Sequence, residues 1–325
     1  MPVVYIIILN YKKWSDVCEC LETVFRSVYD DFTVIVIDND SQNDSLKQLM
    51  EWAEQATVFK NRLTEFSKDN IRKPISYKYF NSGEFTVSRA TSPLPQLVFV
   101  QNNENRGFAA GINTVLKHLL HEDAYIWLLN PDMVMEESTL HELVVCAGNN
   151  PRNTIIGATI KYHEEPGKVH LYAGGRVNFN TATVEMIRSK NDIPKLDYIS
   201  GGSLFTHAHN FKELGMLPED YFLYWEETDW CYRAKMKGYR LCLCENAICY
   251  DKISTSIGKS YLAHYYYTRN GLLFLEKYKK EKVATALFFT QFRILKRLLS
   301  GQPARAKGVF KGMISFLKRK RHENK

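Results

Sequence analysis

Two continuous apolar runs near the amino terminus, at residues 3–9 and 32–37, constrain the fold more than any other feature of the chain. Both runs are rich in β-branched residues, and a helical pattern of apolar residues separates them. A strand, a helix and a second strand at this spacing predict a right-handed crossover and hence a parallel sheet. The same patterns predict two further strands, at 97–101 and 125–129, and two further helices, at 45–59 and 109–120.

The sequence changes character after the fourth predicted strand. A helical pattern at 137–147 precedes a stretch rich in glycine and asparagine, through 170–190, which suggests short antiparallel strands. Residues 221–237 begin with acids and end with bases, as helices prefer, and Gly238 follows where a carboxyl-terminal cap is expected. We therefore predict an α/β fold with a mostly parallel first half and a mixed second half.

The chain has 325 residues, 45% of them hydrophobic, and is long enough for one large α/β domain with an appendage. We predict a domain at 1–275, divided into halves at 1–132 and 133–275, and a helical tail at 276–325. Polar residues at 60–95 indicate an insertion with a hairpin around 76–87.

Seven cysteines follow no regular spacing, which argues against a disulfide framework and for a reducing, cytoplasmic compartment. Cys242 and Cys244 could belong to a metal site, but no second pair stands at zinc spacing, so buried small side chains are favoured. The sequence contains no uninterrupted apolar run of about 18 residues, so we expect no membrane-spanning helix.

Asp38 and Asp132 each follow a predicted strand, where open α/β sheets bind their ligands. Asp38 could accept hydrogen bonds from a base or a ribose, although a turn in which Ser41 or Asp44 caps the next helix explains it as well. Asp132 follows an Asn-Pro turn and could hold magnesium or manganese beside a diphosphate, or be an ordinary turn acid.

Two other segments could carry chemistry. Residues 102–113 combine glycines, which allow close backbone approach, with Arg106 and a helix start, so they could bind phosphate or be an ordinary glycine loop. Glu226, Glu227 and Asp229 cluster between aromatic residues, where partial burial beside another acid raises a carboxyl pKa and suits a general base. A favourable interaction with the helix dipole is the simpler explanation of this cluster.

In this order, the four elements resemble the family 2 glycosyltransferases, and most closely their rhamnosyltransferase-like branch. The matching segments are Asn10-Tyr11, Asp38-Asn39-x-Ser41, Asn105-x-Gly107-Phe108-Ala109-x-Gly111-x-Asn113, Leu129-Asn130-Pro131-Asp132, Gly174-Gly175, Gly201-Gly202-Ser203 and Leu217-Pro218-Glu219-Asp220-Tyr221-Phe222-x-Tyr224-x-Glu226-Glu227-x-Asp229. Each segment is weak evidence, whereas their combination is highly specific.

The resemblance implies a glycosyltransferase A-type fold, a Rossmann-like sheet extended by a mixed acceptor-side half. It implies that residues 1–132 bind a nucleotide-sugar donor, that Asp132 belongs to an acidic metal motif, and that Glu227 deprotonates the acceptor, with Glu226 and Asp229 as alternatives. The implied donor-binding residues are Asn10, Tyr11, Asp38, Asn39, Ser41, Asn105, Arg106, Gly107, Phe108, Asn113 and Asn130. Gly202 and Trp225 would lie on the acceptor side.

The chain departs from the family pattern at two positions. Glu227 stands where the family usually has Asp, so its side chain is one methylene longer. Asp251 stands where the family often has a histidine metal ligand, in the segment Tyr250-Asp251-Lys252-x-x-x-Ser256. A carboxylate is an acceptable magnesium ligand, so metal binding is either retained with oxygen ligands or lost.

The carboxyl-terminal tail concentrates positive charge in a protein of net charge +7. Within 284–299 apolar residues fall on one helix face and basic residues on the other, and 309–317 repeats the pattern before Lys318-Arg319-Lys320-Arg321. This pattern predicts an interfacial helix attracted to anionic lipid, with a helix packed on the domain as the alternative. Nucleic acid is not an expected partner, because the tail has no stacking motif and the rest of the chain is acidic.

We therefore expect an inverting glycosyltransferase that moves a sugar, with dTDP-rhamnose a candidate donor, to a saccharide or lipid-linked saccharide of a cell-surface polysaccharide. It would act in the cytoplasm, on the inner face of the membrane. A nucleotidyltransferase or dehydrogenase would need glycines after the first strand, where Asn10-Tyr11-Lys12-Lys13-Trp14 has none. The alternative from another class is a silent sugar-nucleotide-binding or membrane scaffold.

Overall fold

The computed structural model describes residues 1–55, 71–85, 94–252 and 260–323. The strands are β1 (Val3–Asn10), β2 (Phe32–Asp38), β3 (Tyr77–Asn81), β4 (Leu97–Gln101), β5 (Ala124–Leu129), β6 (Met133–Met135), β7 (Thr154–Tyr162), β8 (Val169–Tyr172), β9 (Gly174–Asn178), β10 (Thr183–Met186), β11 (Tyr198–Ile199), β12 (Ser203–His207) and β13 (Arg240–Asp251). Strands β1, β2, β4 and β5 confirm the four predicted strands of the first half.

Within the described residues, nine strands follow the order β3-β4-β2-β1-β5-β12-β7-β13-β6, and β8 joins the same sheet beside β7. Strands β1, β2, β4 and β5 pair in parallel, as predicted, and β3 adds a further parallel strand at the edge, whereas β12 enters antiparallel to β5. A small sheet of β10, β9 and β11 confirms the short antiparallel strands expected within 170–190. The sheet is thus parallel in the first half and mixed in the second.

The α-helices of the described residues are α1 (Trp14–Val24), α2 (Ser45–Glu54), α3 (Phe108–Leu116), α4 (Thr139–Gly148), α5 (Ala208–Leu214), α6 (Glu226–Met236), α7 (Tyr261–Tyr278), α8 (Val283–Leu299) and α9 (Pro303–Glu323). Strand β1 is buried throughout, because helices cover both faces of the sheet. Alternate residues of β1 enter different cores: Val4, Ile6 and Ile8 pack on one face, and Val3, Tyr5 and Ile7 on the other.

Two sequence predictions need correction. Residues 77–81 of the insertion form an edge strand parallel to β4, a turn follows at 82–84, and residues 86–87 of the predicted hairpin lie outside the described residues. The helix predicted at 221–237 begins only at Glu226, because the residues before it take left-handed backbone conformations that a helix cannot continue.

The tail folds back onto the domain as three packed helices. Helix α7 runs across residue 275, and α8 and α9 pack against it and against each other. Gly308 and Gly312 of α9 allow this close approach, since an added Cβ would lie 2.5 and 2.4 Å from the carbonyl oxygens of Tyr261 and Tyr265. None of the described helices has the length and apolar character needed to cross a bilayer.

Candidate functional site

Strands β1, β2, β4 and β5 end at one edge of the sheet, where the predicted donor-binding residues meet. Asn10 lies opposite Asp38, and Asp38 lies opposite Gln101. The Asp38 carboxylate accepts hydrogen bonds from Asn10 Nδ2 at 2.7 Å, from Gln101 Nε2 at 3.0 Å and from the Ser41 hydroxyl at 2.5 Å. Asp38 is therefore oriented by three neighbouring side chains, whereas Tyr11 extends into solvent at the same edge.

The loop before α3 is joined to this edge by asparagines. Asn39 Nδ2 donates to Asn105 Oδ1 at 3.0 Å and to the Gly107 carbonyl at 3.2 Å. Gly107 has φ +101°, and a Cβ there would lie 2.3 Å from the Phe222 carbonyl oxygen. The Phe108 N–H donates to that same oxygen at 2.8 Å. The loop thus requires a glycine and contacts the segment that leads into the acidic cluster.

Arg106 and Asn113 connect the loop and α3 to the segment around Glu219. Asn113 Nδ2 donates to the Leu217 carbonyl at 2.8 Å and to Glu219 Oε1 at 2.9 Å. The hydrogen bonds of this buried amide nitrogen are therefore made to other residues of the protein. Arg106 lies 3.4 Å from Glu219 and keeps 62% of its side chain exposed. Of these two predicted donor-binding side chains, only Arg106 presents its polar group to solvent.

Asp132 and Asp251 are brought together by the pairing of β6 with β13, in which Asp251 lies opposite Met133. Burial, followed by the charge of the Asp251 carboxylate, raises the pKa of Asp132 to about 6. Asp132 Oδ1 is buried and has no hydrogen-bond partner among the residues that the structure describes. Asp251 Oδ2 also lies 3.3 Å from His170 Nδ1, a neighbour that the sequence did not indicate.

The backbone before the acidic cluster is strained. Phe222, Tyr224 and Trp225 have φ of 66°, 67° and 82°, a region that bulky residues rarely adopt. Asn270 of α7 holds this turn, because its Nδ2 lies 2.8 to 3.0 Å from the carbonyl oxygens of Tyr221, Leu223 and Tyr224. Helix α7 therefore positions the start of α6.

Trp225 immediately precedes helix α6, and its side chain is almost entirely buried. Its indole packs against Tyr267 and Phe274 of α7, with ring centroids 5.8 and 5.2 Å away. The Trp225 Nε1 donates to the Tyr267 carbonyl at 3.0 Å. The predicted acceptor-side residue thus anchors the turn in the core, while Gly202 lies in the turn before β12.

The three acids of the cluster occupy different environments. Asp229 is fully buried and forms a 2.8 Å ion pair with Lys277 of α7. Glu226 is also buried; burial and then the charge of Glu227 raise its pKa well above the ordinary range, and its Oε2 has no partner among the described residues. Glu227 is partly exposed beside Gly201.

Burial also raises the pKa of Glu227, and the backbone N–H groups of Glu227, Thr228 and Gly201 oppose that rise. A carboxylate of raised pKa that is held only by N–H donors can accept a proton from a bound hydroxyl, whereas the Asp229 carboxylate is already occupied by Lys277 and two tyrosine hydroxyls. The environments therefore favour Glu227 over Asp229 as a base.

Tyr224 connects the acidic cluster with the Asp132 site. Burial raises the pKa of its phenol to about 12, with added contributions from the charges of Glu226, Glu227 and Asp132. The Asn130 N–H donates to the Gly202 carbonyl at 3.1 Å, and Gly201 lies beside Glu227, so the segment that carries Asp132 lies close to acids 94 to 95 positions away in sequence. Tyr224 and Asn270 were not predicted as site residues: Tyr224 stood inside a matching segment, whereas no pattern indicated Asn270.

The architecture matches known glycosyltransferase structures. A mannosyltransferase from Pyrobaculum calidifontis, solved with GDP-Man and Mn2+, aligns with TM-score 0.57 at 14% identity over 97% of this chain and 87% of its own. S. aureus TarS 1-349 in complex with UDP-GlcNAc aligns with TM-score 0.51 at 13% identity over 89% of this chain and 71% of its own. The fold is thus the glycosyltransferase A-type fold, with added carboxyl-terminal helices.

The sequence comparisons identify the family. The model for glycosyl transferase family 2 matches residues 5–69 and 86–210, and the chain belongs to this family. The Low-salt glycan biosynthesis hexosyltransferase Agl10 of Haloferax volcanii is 19% identical over 242 residues, which cover 73% of this chain and 71% of that protein. The protein is therefore a glycosyltransferase.

Proposed function

We propose that this glycosyltransferase inverts the anomeric configuration, with Glu227 as the base in a single displacement. The observation that carries the proposal is that Glu227 packs beside Gly201, while the next residue, Gly202, accepts a 3.1 Å hydrogen bond from the N–H of Asn130, two residues before Asp132. The donor diphosphate lies beside Asp132 at the strand ends, and Glu227 accepts the proton of the acceptor hydroxyl. That oxygen attacks the anomeric carbon from the face opposite the diphosphate, which leaves with the bonding electron pair.

We also propose that Asp132 and Asp251 hold a divalent metal, magnesium or manganese. The unpartnered, buried Asp132 Oδ1 beside a second carboxylate fits a cation that takes its other ligands from phosphate and water. Within the described residues no three histidine, cysteine or acidic side chains form a metal site, so such a site depends on phosphate oxygens. When bound, the metal would neutralise charge on the leaving diphosphate.

The mannosyltransferase and TarS structures contain GDP-Man and UDP-GlcNAc, which supports a nucleotide-sugar donor for this chain. The resemblance to the rhamnosyltransferase-like branch makes dTDP-rhamnose the first donor to test. We propose a saccharide or lipid-linked saccharide acceptor in cell-surface polysaccharide synthesis. The decisive assay offers purified protein a panel of nucleotide sugars and measures which nucleoside diphosphate is released.

The assay is paired with a Glu227→Gln variant, which we expect to bind donor but lose transfer. Glu137→Gln is the matched control, since Glu137 is exposed near the start of α4. The anomeric configuration of the product, read by proton NMR, tests inversion, and retention of configuration would contradict it. Donor binding without release of any diphosphate would instead favour the silent scaffold.

We propose that the tail binds the cytoplasmic face of the membrane. Helix α8 packs on α7 and α9 through its small and polar side, so that Ala286 and Thr290 are buried. Its apolar side faces solvent: Phe288, Phe292, Leu295 and Leu299 are exposed, Leu299 by 80%. An exposed apolar stripe beside basic residues suits the boundary of an anionic bilayer.

A Phe288→Ser/Phe292→Ser variant tests the membrane contact. Both side chains are more than half exposed, so their loss leaves the packing of α8 intact. We expect flotation with anionic liposomes to fall, while Met236→Ser, which removes an exposed apolar side chain on α6, is the control. Unchanged flotation of the α8 variant would reject the anchor.

A further inference from the structure

A basic cavity lies between the tail helices and the hairpin of β9 and β10. Its volume is about 610 Å³, within the range of small-ligand sites. The lining residues are Asn178, Thr181, Thr183, Arg293, Lys296, Arg297, Ser300, Gln302 and Arg305. We call it the tail pocket. Four of these side chains are cationic, the others are hydroxyls and amides, and none of the described lining residues is acidic.

The cations of the tail pocket have no carboxylate counterion among the described residues. Among the described residues no acidic side chain forms an ion pair with Arg293, Arg297 or Arg305, whereas arginines such as Arg106, Arg152 and Arg176 each pair with a carboxylate. Arg293 Nη1 is buried and lacks any hydrogen-bond partner within the described chain. A buried, unpartnered cationic donor beside like charges is costly, and an anion would relieve that cost.

The neighbouring groups agree with a positive field in the tail pocket. Burial lowers the pKa of the Arg293 guanidinium, and the charge of Arg297 lowers it further. Beside them, burial and the charges of Arg297, Arg305 and Arg293 lower the pKa of His264 to about 4. His264 is thus neutral at physiological pH. The positive charge of the tail pocket therefore comes from its four cationic lining residues, Arg293, Lys296, Arg297 and Arg305.

The arginines are arranged to present donors together. Arg297 Nη1 and Arg305 Nη1 donate to the same oxygen, Gln302 Oε1, at 3.2 and 2.9 Å. Arg293 is fixed by a 3.3 Å hydrogen bond from its Nη2 to the Thr268 hydroxyl and by its position over the Tyr267 ring. Guanidinium groups fixed side by side bind phosphate with paired hydrogen bonds.

The tail pocket and the exposed apolar stripe share helix α8. Lys296, Arg297 and Ser300 of the pocket alternate along the helix with the exposed Leu295, Leu298 and Leu299. Successive residues of a helix point about 100° apart, so the pocket and the stripe lie on neighbouring sides of α8, and a lipid whose phosphate enters the pocket can place its acyl chains against the stripe. A soluble anion would need the pocket but leave the stripe unused.

We propose that the tail pocket binds the phosphate group of an anionic membrane lipid. The proposal rests on the membrane role of the tail but not on the glycosyl transfer reaction. The pocket is also separate from the acidic cluster, because Tyr267 of α7 contacts Arg293 on one side and Trp225, which precedes the cluster, on the other.

The test uses a variant that keeps every charge. In Arg297→Lys/Arg305→Lys the cations remain, so general attraction to an anionic surface is preserved, but the paired donors are lost. Vesicles of phosphatidylcholine alone and of equal parts phosphatidylcholine and phosphatidylglycerol are titrated with each protein. Arg240→Lys is the matched control, because Arg240 is an exposed arginine at the first position of β13, outside the tail pocket and at the other end of the strand from Asp251.

We expect the double variant to bind the phosphatidylglycerol vesicles about tenfold more weakly than wild type. The double variant should match wild type in its binding to phosphatidylcholine vesicles and in its thermal unfolding midpoint. Arg240→Lys should bind both kinds of vesicle as wild type does. A double variant that keeps the wild-type preference for phosphatidylglycerol would overturn the pocket while leaving the apolar anchor and the transferase intact.

A titration with inorganic phosphate separates the two sources of the anion. A lipid site gives at most weak binding of inorganic phosphate, because the acyl contacts with the stripe are missing. The lipid proposal would be overturned by two results together: inorganic phosphate binds to saturation, and it inhibits vesicle binding no more than chloride does. The pocket would then be assigned to a soluble anion.

Discussion

Replacing Asp229 by Asn should damage the fold more than the chemistry. The Asp229 carboxylate is fully buried and accepts hydrogen bonds from Lys277 Nζ at 2.9 and 2.8 Å. It also accepts from the hydroxyls of Tyr221 at 2.7 Å and Tyr278 at 2.9 Å. Asp229 therefore joins α6 to α7 and to the strained turn before Glu226. Asparagine keeps the shape but removes the charge and turns one acceptor into a donor.

The size of the effect follows from these contacts. Removing one partner of a buried ion pair costs about 3–5 kcal/mol. Lys277 keeps 46% of its side chain exposed and can turn to water, so we expect the lower end, about 3 kcal/mol. At roughly 2–4 °C of melting temperature per kcal/mol for chains of this size class, the midpoint should fall by about 6–12 °C.

The assay combines thermal unfolding, followed by circular dichroism, with diphosphate release measured well below the transition. Asp229→Asn should melt early yet retain turnover per folded molecule, and Glu227→Gln should melt with wild type yet lose turnover. Lys277→Gln serves as a second probe of the same ion pair and should destabilise less. An Asp229→Asn protein with wild-type melting and no turnover would refute the reasoning and make Asp229 the base.

Three further perturbations test other parts of the site. Burial raises the pKa of Asp132 from 3.8 to about 6, so its ionisation costs the metal-free fold nothing at low pH and roughly 3 kcal/mol above pH 6. Asp132→Asn should therefore melt higher than wild type at pH 8, with the difference shrinking as the pH falls from about 6 to about 4 and disappearing below that; a constant difference would contradict this. The added Cβ of Gly107→Ala would lie 2.3 Å from the Phe222 carbonyl oxygen, so the variant should lower the free energy of unfolding in denaturant titrations by at least about 2 kcal/mol and weaken donor binding. An unchanged free energy of unfolding would show that the loop can move away. Asn270→Ala releases three carbonyls of the turn and should lower kcat at least about tenfold without changing donor affinity; an equal loss of donor affinity would mean that Asn270 also shapes the donor site.

The strand ends show how far sequence patterns reach. Continuous apolar runs predicted β1, β2, β4 and β5, because strands buried on both faces need apolar residues throughout. Asp38 and Asp132 could then be assigned to one edge, since parallel strands end together. The start of α6 was misplaced, because the left-handed backbone of Phe222, Tyr224 and Trp225 depends on Asn270, 45 to 48 positions away.

The tail shows the same division. Its periodicity predicted amphipathic helices but left open whether the apolar side packs on the domain or faces outward. In the structure the polar and small side of α8 is packed and the apolar side is exposed. A helical pattern specifies which residues share a face, whereas the direction of that face depends on contacts with α7 and α9.

The sequence by itself determined the parallel α/β sheet, the family and the set of candidate site acids. It did so because local periodicity and short motifs are properties of neighbouring residues. Only the tertiary structure distinguished the ion-paired Asp229 from the partly exposed Glu227, brought Asp251 beside Asp132, and assembled the tail pocket from α8, α9 and a distant hairpin. Burial, charge pairing and electrostatic field arise from residues far apart in sequence, and they exist only once the chain has folded.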